Sequence, residues 1–225
     1  MRLRKLIAFL RARLTRGGFL GLQLTGSIVV LIAATWLFAA IAEDVVTGDR
    51  ITIIDARFSE WLHNHGGRTL TQFMLLVSDV HATLPVLLAT AGVCSYLWIR
   101  RLRFWVLTFV ISVGGGSLLN VLLKVIFHRP RPYFENPILI LKSYSFPSGH
   151  TLMAAVFYGT LCALIVSRTR NWKWRAAATV GAITLIALVG FSRIYLGAHY
   201  LSDVVAAMLE GVAWVTLSLV AVRLS

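Results

Sequence analysis

Long apolar runs separated by short charged clusters make up most of this chain. Six runs reach or approach the ~20 residues a helix needs to cross the hydrocarbon core of a bilayer. They cover residues 19–42, 84–99, 104–127, 151–166, 176–191 and 201–222. Helices follow, because hydrocarbon offers no partners to open backbone groups. The pattern predicts an all-α polytopic membrane protein, a bundle of six transmembrane helices forming a single domain over residues 1–225. The first run is too long for the apolar core of a cleaved signal peptide and is read as a retained span.

Residues 44–79 break this rhythm. Ile54, Phe58, Trp61 and Leu62 recur at roughly helical spacing, with Asp55, Arg57 and Glu60 between them. That periodicity predicts an amphipathic helix lying in the membrane interface. Gly66-Gly67 ends it, and a second short helix leads into the next span. Such a connection serves either as a lid on the bundle or as a guide for lipids.

Composition strengthens the membrane reading: 58% of residues are hydrophobic, 14% are charged, and mean hydropathy is +0.78. A soluble globular domain is excluded. The net charge of +13 suggests nucleic acid at first sight. Its distribution in short clusters between apolar runs is instead a topology signal, and no nucleic-acid partner is predicted. Arg2, Arg4, Lys5, Arg11, Arg13 and Arg16, the 100–103 turn, the 168–175 loop and Arg223 bring basic residues to one side without a single acid. The positive-inside rule makes that side, and both termini, cytoplasmic. All six histidines map to the other side, and of the nine acids only Glu210 falls deep in a span. Polar chemistry is therefore expected at the outer face. Cys94 and Cys162 lie in apolar runs and read as packing residues.

Three clusters at the outer ends of the later spans carry that chemistry. The first is Lys124-Val-Ile-Phe-His-Arg-Pro-Arg131-Pro132. Arginine grips tetrahedral oxyanions through paired N–H donors, and Lys124 adds a point charge. The second is Pro147-Ser148-Gly149-His150 before a span. Ser148 can cap the helix, whose N-terminus suits phosphate, and Gly149 permits close backbone approach. The third is Ser192-Arg193 with His199 and Asp203. Residues 199 and 203 share a helix face, so the carboxylate can orient the imidazole. Together they supply a nucleophile, an acid and a set of cations, which is equipment for phosphoryl transfer without a metal.

Lys124-x6-Arg131-Pro132, Pro147-Ser148-Gly149-His150 and Ser192-Arg193-x5-His199-x3-Asp203 resemble the three signature motifs of the phosphatidic acid phosphatase type 2 and haloperoxidase superfamily, at every signature position. The six spans resemble its membrane branch. The resemblance implies that His199 attacks phosphorus, Asp203 orients it, and His150 protonates the leaving oxygen and then activates water. It implies that Lys124, Arg131, Ser148, Gly149 and Arg193 hold the phosphate oxygens, with no cofactor and no metal. Arg129-Pro130 duplicates Arg131-Pro132, and only the spacing from Lys124 favours the latter. The implied partners are membrane lipids and a lipid phosphate substrate: undecaprenyl diphosphate, phosphatidylglycerol phosphate or phosphatidic acid. The basic inner loops and short length point to a bacterial inner membrane. A lipid phosphotransferase would share the same intermediate, a transporter would need only the cations, and a haloperoxidase would not need six spans.

The remaining polar residues attract simpler readings. His63, His65 and His81 are expected at the surface of the outer connection, and His128 near the pocket mouth. Glu210, mid-span, must be protonated or paired, and a packing hydrogen bond is expected.

Overall fold

The computed structural model describes residues 21–224; the basic N-terminal tail and the first residues of the first run, with the topology assigned from them, lie outside the described residues. The described chain is helical: α1 (Leu22–Thr47), α2 (Arg50–Asn64), α3 (Arg68–Val80), α4 (Thr83–Ile99), α5 (Arg103–Phe127), α6 (Gly149–Arg168), α7 (Trp172–Tyr195) and α8 (Leu201–Leu224). Helices α1, α5, α6, α7 and α8 are each long and apolar enough to span a bilayer. The expected second span is shorter: α4 has 17 residues, and it joins α3 at a bend of 49°. Six spans result when that bent pair counts as one.

Surface and interior follow what lipid dictates. Val29, Ile32, Trp36, Leu118 and Val121 stand exposed on the bundle exterior. Burial of apolar groups drives little association between helices in hydrocarbon, so close backbone approach matters more. A Cβ on Gly211 of α8 would come within 2.5 Å of the Ala155 Cβ on α6. Inside α5 the stretch Val110–Gly115 widens into a π-helical turn. The Trp214 indole packs against Gly115 and Gly116, and its Nε1 donates to the Ile111 carbonyl at 3.0 Å. The irregular backbone is thus satisfied by a side chain of α8.

The amphipathic helix exists, but its apolar residues divide between two faces, Phe58 and Leu62 packing inward. Ile53, Ile54 and Trp61 are exposed, while Asp55, Ser59 and Leu62 are buried against the bundle. In lipid the outward apolar side chains lose nothing, and Asp55 finds partners inside.

Candidate active site

Two local turns aim the site residues. His128 adopts a left-handed backbone (φ 48°) and ends α5, its N–H bonding to the Lys124 carbonyl at 3.1 Å. The chain then folds back, so that Ser145 N–H reaches the Arg129 carbonyl at 2.9 Å. At the end of α7, Gly197 takes φ 68°, and the N–H groups of Ala198 and His199 both return to the Arg193 carbonyl. A Cβ at Gly197 would lie 2.8 Å from the Phe134 ring. Glycine is required there both by the positive φ and by the close approach.

A cavity of about 300 Å³ opens between the ends of α5, α6 and α7 and the loops that join them. Lys124, Arg131, Gly149, His150, Arg193 and His199 all line it, together with Asn120 and Ser143. Residues separated by 75 positions in sequence therefore meet across one small space, as the three clusters require. Asp203 is fully buried behind His199, its Oδ2 3.4 Å from the ring Nδ1. That is longer than a full hydrogen bond, and among the described residues Nδ1 has no closer partner. On the other ring nitrogen, Arg131 Nη1 stands 3.2 Å from Nε2. A guanidinium can only donate, so Nε2 carries the lone pair and Nδ1 the proton. Burial holds the His199 imidazole down to about 3; Asp203 raises it, and the charges of Arg131 and Lys124 lower it further. His199 is therefore a neutral base at ordinary pH.

The cations are tethered by backbone carbonyls. Arg131 donates to Ser143 O at 2.6 Å, Ala198 O at 2.5 Å and Tyr144 O at 3.1 Å. Lys124 Nζ donates to Tyr144 O at 2.8 Å and Ser145 O at 3.2 Å. Arg193 is buried, with Nη1 on Ser78 Oγ and Nε without a partner among the described residues. These carbonyls neutralise little of the charge, so the cavity stays positive. A larger hollow of about 690 Å³ lies alongside, but Glu60 and Glu135 line it, the wrong sign for phosphate.

Ser148 sits outside the cavity lining. It occupies the N-cap position of α6 without a side-chain cap bond. Its hydroxyl accepts from Thr151, and its N–H donates to the Asp203 carbonyl at 3.1 Å. Being fully buried, it lies beneath the cavity rather than on its wall. The two Arg-Pro pairs occupy different places, Arg131 on the cavity wall and Arg129 away from it. Arg129 does not line the cavity but bridges two carboxylates, Nη1 to Asp203 Oδ1 at 2.5 Å and Nη2 to Asp55 Oδ2 at 2.8 Å. Burial lowers its pKa, but Asp203 and Asp55 together carry it above the ordinary arginine value.

Several polar residues carry parts the sequence reading missed. Ser145 donates its hydroxyl to Asp203 Oδ2, which also accepts the Tyr200 N–H at 2.9 Å. Asp55 accepts from Ser202 N–H at 2.9 Å. Its only signal was the four-residue spacing of Asp55 and Ser59, which puts both on one helix face beside Leu62. His81 is buried rather than at the surface, bonded to Val77 O and Tyr158 OH at 2.8 Å each. His128 is exposed beside Tyr144 and does not line the cavity. Glu210 accepts from Asn120 Nδ2 at 3.2 Å, the packing bond expected of it.

The helical bundle, with two imidazoles and a cluster of cations around one cavity at one end, defines a membrane protein with a positively charged polar pocket. The chain belongs to the PAP2 superfamily, whose family model matches residues 105–224. It is 35% identical over 106 residues to phosphatidylglycerophosphatase B of Bacillus subtilis, covering 47% of this chain and 52% of that protein. It is 32% identical over 136 residues to an undecaprenyl-diphosphatase of Sulfolobus acidocaldarius, covering 54% of this chain and 61% of that one. The chain thus spans between half and two thirds of the length of these two relatives. Among solved structures it resembles a transmembrane PAP2-type phosphatidylglycerolphosphate phosphatase from Bacillus subtilis, with TM-score 0.77, 25% identity, and coverage of 84% of this chain and 93% of the other.

Proposed function

We propose that this protein is a membrane phosphatase that hydrolyses a phosphomonoester or diphosphate of a lipid at the non-cytoplasmic face, through a phosphohistidine at His199. One observation carries the reading: the unprotonated Nε2 of His199 and the His150 ring share a cavity with Lys124, Arg131 and Arg193, with Asp203 behind.

The chemistry follows from those positions. The Nε2 lone pair attacks phosphorus in line with the ester oxygen. The P–O bond breaks and its electron pair leaves on the lipid oxygen, which takes a proton from His150, a ring that gains that proton as the bound phosphate anion offsets the charges of Arg193, Arg131 and Lys124 around it. Lys124, Arg131, Arg193 and the N–H groups opening α6 at Gly149 hold the three equatorial oxygens. The phosphorylated ring is cationic, and Asp203 stabilises that charge, its approach to Nδ1 tightening as the charge forms. His150, now neutral, takes a proton from water, the hydroxide oxygen attacks phosphorus, and the P–N bond returns its pair to Nε2. Ser148 ties the α6 turn to the Asp203 backbone rather than touching phosphate.

The names of the relatives favour undecaprenyl diphosphate and phosphatidylglycerol phosphate as substrates, presented by a bacterial inner membrane. The orientation rests on the basic 100–103 and 168–175 loops, which lie at the opposite end of the bundle from the cavity. Purified protein in detergent, quenched after milliseconds with 32P-labelled lipid phosphate, should carry an acid-labile, base-stable label on His199. Phosphate release with no such label at any time point would defeat the proposal.

A further inference from the structure

The interfacial helix α2 reaches the reaction centre through a chain of buried polar contacts. Asp55 is 1% exposed, Ser202 1%, Asp203 0% and Arg129 8%. Asp55 Oδ1 accepts the backbone N–H of Ser202, in the first turn of α8, at 2.9 Å. Its Oδ2 accepts from the Ser202 hydroxyl and from Arg129 Nη2. Arg129 Nη1 reaches Ser202 Oγ at 2.7 Å and Asp203 Oδ1 at 2.5 Å. A carboxylate from one helix thus satisfies an orphan donor at the N-terminus of another, the one that carries Asp203.

We infer that Asp55 and Arg129 are positioning residues that set the orientation and the available charge of Asp203 toward His199. The inference rests on the reading of His199 as nucleophile. The physical argument concerns charge balance. Arg129 alone against Asp203 would be a neutral pair, with no charge left over for an imidazolium or phosphoimidazolium. Asp55 takes half of the guanidinium, so the triad keeps one net negative charge. Ser145 and the Tyr200 N–H fix Asp203 Oδ2 on the side that faces the ring. Because Asp55 sits on the helix whose opposite face exposes Ile53, Ile54 and Trp61, the centre is braced by an element seated in the lipid interface.

The test is rapid-quench measurement of phosphohistidine formation from dioctanoyl phosphatidate, alongside inhibition by inorganic phosphate, in full-length protein. Asp55→Asn and Arg129→Gln should slow phosphorylation on the order of tenfold to a hundredfold, the size of coupling inside a contact network. The inhibition constant for phosphate should stay within about twofold, since the cavity cations are untouched. Asp55→Glu should restore part of the rate. Asp55→Asn combined with Arg129→Gln should be no slower than Arg129→Gln alone, because Asp55 acts through Arg129. Should Asp55→Asn fail to fold, Ser202→Ala keeps the charges paired and should slow phosphorylation by about threefold. Folded variants that phosphorylate at the normal rate would overturn the inference. So would a loss of phosphate affinity equal to the loss of rate, which marks general damage. Normal phosphorylation of a His199→Gln variant would instead sink the nucleophile assignment.

Discussion

Arg131 Nη1 stands 3.2 Å from His199 Nε2. This contact selects the ring tautomer: the donor keeps Nε2 unprotonated and directs the Nδ1 proton toward Asp203. It also puts a guanidinium beside the nitrogen that, in the proposed mechanism, attacks phosphorus. When a phosphoryl group arrives, the same N–H can pass from the ring to an equatorial oxygen without the side chain moving far, held as it is by the Ser143 and Ala198 carbonyls. Positioning and electrostatic stabilisation then come from one residue.

His199→Gln should lower phosphate release by at least about 10³-fold, the loss typical of a removed nucleophile. His150→Gln should behave differently: it slows both formation and hydrolysis of the phosphohistidine, since one ring is acid and base, but it still takes up label on His199 where His199→Gln takes up none. Steady-state release together with acid-labile labelling separates the two. A His199→Gln protein that turns over normally would contradict the mechanism.

Arg131→Ala should weaken inhibition by inorganic phosphate by about 10- to 100-fold, the worth of a charge-assisted bond in a closed site. The inhibition constant, measured by phosphate titration of the rate, is the deciding number. An unchanged constant would mean that Arg131 serves only the 143–144 loop.

The protein should lose stability in mild acid through His199. The folded ring sits near 3, against ~6.5 in the unfolded chain, so between these values the unfolded state binds the extra proton. Stability from this group is full above ~6.5 and falls as pH drops below it, reaching a loss of about 2 kcal/mol at pH 5. Melting temperatures at pH 7 and pH 5 should therefore differ less for His199→Gln than for the native protein. Equal differences would show that the ring does not titrate this way.

Gly211→Ala should destabilise the bundle by about 1–3 kcal/mol, because the methyl meets the Ala155 Cβ at 2.5 Å and α6 and α8 must part. Gly92→Ala, where nothing lies within 4 Å, should leave the melting temperature within a degree or two or raise it slightly. Thermal melts in detergent decide this, and equal effects at the two glycines would refute the packing argument.

Chelation should leave activity within about twofold, since Lys124, Arg131 and Arg193 supply the positive charge that a metal would otherwise bring. Phosphate release after dialysis against EDTA, with and without added Mg²⁺, checks this. Strict dependence on the added ion would require a different mechanism.

Much of this architecture was legible along the chain. Apolar runs of spanning length leave few alternatives to helices, because hydrocarbon forbids unpaired backbone. Lys124, His150, Arg193 and His199 could be picked out because they are polar residues at ordered spacing beside such runs. Local pattern alone told which segments are helices and which side chains carry charge. It could not tell which of two adjacent arginines faces the cavity. Arg129 and Arg131 are chemically identical and two residues apart, so only the partners folded around them, Asp55 and Asp203 for one and His199 for the other, decide. Nor could periodicity reveal that α2 turns Asp55 inward and Trp61 outward. Periodicity finds an apolar stripe, but which stripe meets protein and which meets lipid depends on contacts between residues more than a hundred positions apart.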